Sequence, residues 1–310
     1  MFGTNENLQR LVKSKYWVMD GTFSSVLNLF RQLFTIHGSS PPSHQHTFPL
    51  VYVLMTSKSE ELYRKVFQTL NDIGDDLEIQ FKPDVILSDF EKAIVNASKT
   101  EFKDSKHNAC FFYLSQNMWK HVQHLGLTKD MNNDVKSFDF FKQTQALAFL
   151  PPSKIPEAFD MLKASALYRL TEFFSYFEEN YVHGRVRRTT KQGRVTRNDP
   201  LYPPSLWSVY DNIKKAIPRT TNQIESWHSQ WNSIVGHHAG VLKMIEKFRL
   251  EEKYVSGQIL GYLSANSSKR RKTDSELNDG KISKIVNNLT SMTNEDYLKA
   301  IAANLGSKSK

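Results

Sequence analysis

Clusters of β-branched and aromatic positions, separated by short polar stretches, open the chain: YWVMDGTF (16–23), LFRQLFTIHG (29–38) and FPLVYVLMTS (48–57). Such runs predict three consecutive strands, and their short connections predict an antiparallel meander. Pro41 and Pro42, which have no place in a central strand, mark the second turn. In SEELYRKVFQTLNDIG (59–74), Leu62, Val66, Phe67, Leu70 and Ile73 fall on one helical stripe that ends at Gly74, read as the residue that terminates the helix. PDVILSD (83–89) predicts a fourth strand, FEKAIVNASKTEF (90–102) a helix, and residues 107–127 a short strand running into another helix. The sum is a mixed α/β layer architecture.

Beyond residue 128 the strand signal disappears, and stretches such as 135–150 and 155–182 read as helical. This block closes on HGRVRRTTKQGRVTRNDPLYPPSLW (183–207), a polar, basic segment that reads as a surface loop. A helix resumes at TTNQIESWHSQWNSIVG (220–236), with Ile224, Trp227, Trp231 and Ile234 sharing one face. SSKRRKTDSELNDG (267–280) reads as a solvated linker, followed by at most one or two short helices. The expected divisions are 1–127 and 219–265 for the α/β core, 128–218 for a helical block with its basic loop, and 266–310 for a linker and tail.

Charge changes the picture most. Forty-one Lys and Arg against thirty-two Asp and Glu leave the 310-residue chain at +9, with a pI of about 9.3, which favours a polyanionic partner such as double-stranded DNA. One cysteine, Cys110, excludes a disulfide framework and a zinc finger of paired cysteines, and suits a reducing compartment. No apolar run approaches the roughly 20 residues of a membrane span, so no membrane partner is expected. The opening residues lack the apolar stretch of a secretory leader, which points to the cell interior. Lys269, Arg270, Arg271 and Lys272 form a compact basic run of the nuclear-localisation kind, making the nucleus the expected location.

Three acids are candidates for chemistry, each with a structural alternative. Asp20 closes the first strand pattern just before Gly21, where it either projects from a sheet edge or forms an Asp-Gly turn. Asp89 ends the fourth strand, and the Ser88 to Glu91 spacing also fits a helix-capping box. Glu225 lies three residues after Asn222, another capping spacing, yet Glu225, His228 and Asn232 form a polar stripe away from the tryptophans. Two strand-end aspartates and a helix glutamate are the hard oxygen donors that a pair of Mg²⁺ or Mn²⁺ ions requires for phosphoryl transfer. The histidine pairs His44/His46, His121/His124 and His237/His238 lack zinc-like ligand spacing and read as surface or structural residues.

DGTF at Asp20, SDFEKA at Asp89, CFFYLSQNMWKHV from Cys110 and TTNQIESWHSQWN around Glu225 resemble, in the same order, the Mutator-like (MULE) transposase domain of eukaryotic DNA transposons. The resemblance covers about residues 5–260. It implies a ribonuclease H-like core with an α-helical insertion between the second and third acids, and a DDE triad of Asp20, Asp89 and Glu225 holding two Mg²⁺ or Mn²⁺ ions. It also implies a pair of DNA ends, hence a homodimer on DNA. One departure is visible: where the family has Cys-x-x-His, this chain reads Cys110-Phe-Phe-Tyr113. His228 belongs to the same set of motif positions. No zinc-finger reader is recognisable before Asp20.

Arg185, Arg187, Arg188, Lys191, Arg194 and Arg197 are the local candidates for phosphate contact. Three functional readings stay open from sequence: a metal-dependent DNA transposase, a nuclease that cleaves without joining, and a transposon-derived, catalytically silent DNA-binding or protein-interaction protein.

Overall fold

The computed structural model describes residues 1–310 except 24–25, 27–28, 42–45, 221, 237–239, 265–273 and 307–310. The basic run Lys269, Arg270, Arg271 and Lys272, the residues Pro42 and His44, the pair His237 and His238, and the side chain of Asn222 lie outside the described residues. The chain forms two compact units, one of residues 1–110 and 220–269, the other of residues 111–219 and 270–310.

The first unit begins with helix α1 (Asn5–Val12), whose start is fixed by the Thr4 hydroxyl accepting the Asn7 N–H at 3.2 Å. Strands β1 (Tyr16–Thr22), β2 (Gln32–Ser39) and β3 (Thr47–Met55) form the expected antiparallel meander. Helix α2 (Glu60–Asp76) is capped by Ser59 and leads to β4 (Val85–Ser88), helix α3 (Lys92–Glu101) and β5 (Lys106–Ala109). The result is one five-stranded mixed sheet in the order β3-β2-β1-β4-β5, with β4 parallel to both β1 and β5.

Side chains alternate across this sheet, so its two faces carry different partners. Phe34 points to the α2 face, edge-on to Tyr63 and Phe67, and Trp17 meets Phe102 at 5.2 Å. On the opposite face Tyr52 joins a cluster with Leu33, Trp231, Val235, Met244 and Phe248.

Two local expectations are corrected here. Helix α2 does not end at Gly74 but runs through it. That glycine serves packing, because a Cβ there would come within 2.9 Å of the Ile79 carbonyl and 3.0 Å of the Phe81 ring. The capping box at Ser88 does not form either. The Ser88 hydroxyl donates to the Asp89 carbonyl, and the helix begins only at Lys92.

The second unit contains α4 (Phe111–His124), α5 (Thr128–Asn133), α6 (Val135–Ala146), α7 (Ile155–Ala164) and α8 (Thr171–Phe177), the last prolonged by a π-turn over Glu178–Val182. The basic segment, expected to be a loop, instead folds as a hairpin of β6 (Val186–Thr189) and β7 (Val195–Arg197). Helices α9 (Pro204–Trp207) and α10 (Tyr210–Lys214) follow. Phe149, Phe159, Phe173, Phe174, Phe177, Tyr181 and Trp207 fill the core, each fully buried aromatic contributing about 1.5–3 kcal/mol or more.

The chain then returns to the first unit as α11 (Asn222–Val235) and α12 (Val241–Ser264). After the expected linker, where the sequence allows one or two short helices, two form: α13 (Asp274–Asn287), which begins already within the segment 267–280 read as linker, and α14 (Asn294–Asn304); both belong to the second unit. The Tyr297 hydroxyl donates to the Phe149 carbonyl at 2.6 Å, seating α14 in that core. Among the described residues no helix is long and apolar enough to cross a membrane.

Candidate active site

The site starts from strand register. Val18 on β1 is opposite Leu87 on the parallel strand β4, so Asp20, two residues on in β1, and Asp89, the residue that follows β4, lie toward the same end of the sheet. Asp20 is the fifth residue of a strand that continues to Thr22, which replaces the Asp-Gly turn expectation. Alternation sends the Asp20 and Thr22 side chains to the face that carries Tyr52, since Asp20 is paired with Thr35 and Thr35 with Tyr52.

Helix α11 is held on that face by its buried aromatic side. Trp231 stacks on Phe248 with ring centroids 5.1 Å apart and on Trp227 at 5.5 Å. Trp227 donates through Nε1 to Glu251 Oε1 at 2.6 Å, and burial holds the Glu251 carboxyl above its ordinary pKa while that bond pulls it down. The polar stripe lies on the neighbouring flank and turns toward β1, not toward water. His228 Nδ1 is 3.6 Å from Asp20 Oδ2, and the Asn232 amide meets the Thr22 hydroxyl at 3.2 Å. Ile234, expected to share the tryptophan face, is instead exposed, and Val235 is buried in the cluster.

Burial sets the electrostatics. It pushes the His228 pKa down to about 4, so the ring is neutral at pH 7 and its approach to Asp20 is a close polar contact, not an ion pair. Its Nε2 is buried with no hydrogen-bond partner among the described residues. Behind it, His37 is also held neutral, first by burial and then by the proximity of His228. His37 Nε2 pairs with the Thr35 hydroxyl at 3.0 Å, and that hydroxyl donates to the Asp20 carbonyl at 3.3 Å. The Asp20 carboxylate accepts the Gly21 N–H at 2.8 Å.

Burial raises the Asp89 carboxyl pKa, with the Glu91 N–H bond and Lys58 opposing the shift. Asp89 Oδ1 accepts that N–H at 3.0 Å, which fixes the carboxylate in the turn between β4 and α3. Lys58 is ion-paired with Glu91 and lies 5.0 Å from the Phe23 ring centroid. Glu225, one turn before His228 on α11, also has a pKa raised by burial.

All three acids therefore belong to one unit, with Asp20 on β1, Asp89 immediately after the neighbouring strand β4, and Glu225 on the helix whose His228 touches Asp20. Their oxygen donors suit Mg²⁺ or Mn²⁺ in kind. Among the described residues, however, no group of three or more His, Cys, Asp or Glu side chains is placed to hold a metal ion.

His37, Thr22, Thr35 and Lys58 complete this neighbourhood without having been singled out in sequence. His37 lies within an apolar strand, where a buried polar residue gives no periodic signal. Only the register makes Thr22 a neighbour of Asn232.

Of the remaining motif positions, Cys110 is fully buried, and its N–H donates to the Ser88 carbonyl at 2.9 Å, prolonging the β4–β5 pairing. Tyr113 lies on α4 in the helical unit, its ring 5.8 Å from Phe112. Arg185, Arg187, Arg188, Lys191, Arg194 and Arg197 all fall in or beside the β6–β7 hairpin.

Residues 16–117, a third of the chain, match the family model of the MULE transposase domain, the family that the sequence motifs resemble. The matched stretch runs from β1 into α4 and contains Asp20, Asp89, Cys110 and Tyr113, while Glu225 lies outside it. A comparison with curated proteins gives no match to the chain.

Proposed function

Taking the MULE transposase domain of residues 16–117 as the premise, we propose that the chain is the catalytic part of a DDE-type DNA transposase that cleaves DNA strands and transfers them. The domain match supports a transposase-related function and an interaction with DNA. The observation that carries the finer reading is that Asp20 on β1 and Asp89 at the end of the adjacent parallel strand β4 lie toward the same end of the sheet, with the polar flank of α11 against Asp20. In this reading the mixed sheet is a ribonuclease H-like core, and the helical stretch between Asp89 and Glu225 is the family's insertion.

Asp20, Asp89 and Glu225 would hold Mg²⁺ or Mn²⁺. When bound, such ions supply Lewis-acid activation of water or a 3′-hydroxyl and neutralise charge at the scissile phosphate. The chain's own contribution is positional. The Gly21 N–H orients the Asp20 carboxylate, the Glu91 N–H orients Asp89, and the Trp231 anchor fixes the helix that presents Glu225. Neutral His228 beside Asp20 adds no positive charge that would compete with a cation. Action on DNA ends implies a nuclear location and a dimer on DNA.

A second reading is favoured by one observation, the lack of a ready three-ligand metal group among the described residues, together with Tyr113 in place of the family histidine. It makes the chain a DNA binder without cleavage activity. Mn²⁺ titration separates the two. The transposase reading expects binding by the wild type that is lost in Asp89→Asn, with DNA binding retained, whereas absence of Mn²⁺ binding by the wild type supports the silent binder.

A further inference from the structure

The β6–β7 hairpin is exposed on both faces along every residue of both strands. A two-stranded ribbon with neither face covered is marginal by itself, so something else must hold it. At its base that support is visible. Gly184, with φ +81°, lies so close to the returning strand that a Cβ would sit 1.8 Å from the Asn198 carbonyl. Arg197 donates to the Gly184 carbonyl at 2.8 Å and pairs with Glu178 at 2.8 Å, while Arg185 pairs with Glu179 at 3.2 Å. The tip closes through Gly193, whose N–H donates to the Thr190 carbonyl at 3.0 Å.

Residues 184–198 hold six cations and no acid. Two of the six are occupied at the base. The other four, Arg187, Arg188, Lys191 and Arg194, have no ion pair among the described residues and stand within eight positions of one another. Mutual repulsion of this kind opposes the ribbon unless a polyanion neutralises it. A two-stranded ribbon is also an element that the major groove of duplex DNA admits.

We propose that this hairpin is a duplex-DNA contact in which Arg187, Arg188, Lys191 and Arg194 meet phosphates, while Arg185 and Arg197 are struts that fasten it to its own unit. The choice of DNA as the polyanion rests on the transposase reading above. The division of labour among the six cations rests on the ion pairs alone.

The test is the salt dependence of binding of a fluorescent, blunt-ended DNA duplex of arbitrary sequence to the full chain, followed by anisotropy in EDTA. Each phosphate contact contributes about 0.9 to the slope of log affinity against log salt, so removing four flattens it by about 3.6. Between 50 and 200 mM salt the wild type is then expected to lose about 150-fold more affinity than the Arg187→Gln, Arg188→Gln, Lys191→Gln, Arg194→Gln variant. The Arg185→Gln, Arg197→Gln variant is expected to change the slope by less than about one, with faster trypsin cleavage in the hairpin. An unchanged slope in the fourfold variant overturns the proposal, as does an equal loss in the strut variant. Because no metal is present, the result does not depend on the acids. If Asp89→Asn still cuts DNA, the transposase reading fails while the hairpin result stands, and an unchanged slope beside a cutting-dead Asp89→Asn removes the hairpin proposal alone.

Discussion

Replacing Trp231 by alanine, beside Ile234→Ala on the same helix, tests which face anchors α11. Trp231 is 1 % exposed and packs on Phe248, Trp227 and Tyr52 with ring centroids 5.1, 5.5 and 6.2 Å away. Truncating a buried tryptophan costs about 3–5 kcal/mol through lost transfer energy and the cavity left behind. Each lost aromatic pair adds about 0.5–1.5 kcal/mol to simple area burial, which places Trp231→Ala at the upper end, about 5 kcal/mol. A domain's whole stability is about 5–15 kcal/mol, so the first unit comes close to unfolding. Ile234 is 42 % exposed, and its truncation should change stability by no more than about 0.5 kcal/mol. Urea unfolding followed by circular dichroism measures both costs, and hydrogen exchange of the peptide covering 222–235 assigns them to α11 and not to the helical unit. An Ile234→Ala cost equal to that of Trp231→Ala, or a Trp231→Ala cost under about 1 kcal/mol, refutes the docking described and with it the link between Glu225 and Asp20.

Two further outcomes are expected. Gly184→Ala forces a side chain into a left-handed conformation at the hairpin base, at about 1–2 kcal/mol before the clash with Asn198 is counted, and limited trypsin digestion should cut residues 187–194 faster. An unchanged digestion rate contradicts this. His107, hydrogen-bonded to Ser98 at 3.0 Å, has its pKa pushed down to about 4 by burial. The unfolded chain therefore binds this proton first as pH falls, so the stability from neutral His107 is complete above about 6.5 and declines toward pH 4, by up to about 1.4 kcal/mol per pH unit. Chemical denaturation across that range should show a shallower acid loss in His107→Gln than in the wild type, and equal slopes contradict the assignment.

Much of the sheet was legible because β1 to β4 carry dense β-branched and aromatic runs, and Asp20 and Asp89 stand near the ends of two of them. Gly74 was misread because a glycine at the end of an apolar stripe signals termination equally well when it serves close packing against Phe81. The hairpin at 186–197 was hidden because its strands bury nothing, so no alternation of apolar and polar positions marks them. On α11 a period of 3.6 fits both Ile234 and Val235 to the tryptophan side, and only packing against Tyr52 and Phe248 decides for Val235. The direction of the polar stripe was open in sequence for the same reason, since periodicity separates faces without saying which neighbour each one meets.

The most direct measurement is cleavage of supercoiled plasmid by the purified full chain with Mg²⁺ or Mn²⁺, the wild type beside Asp20→Asn, Asp89→Asn and Glu225→Gln, with duplex binding of all four recorded in EDTA. The expected result is metal-dependent nicking and linearisation by the wild type, lost in each single variant, with DNA binding kept throughout. Cleavage that survives any one of the three substitutions, or a wild type that binds DNA and never cuts it, contradicts a shared catalytic role for Asp20, Asp89 and Glu225.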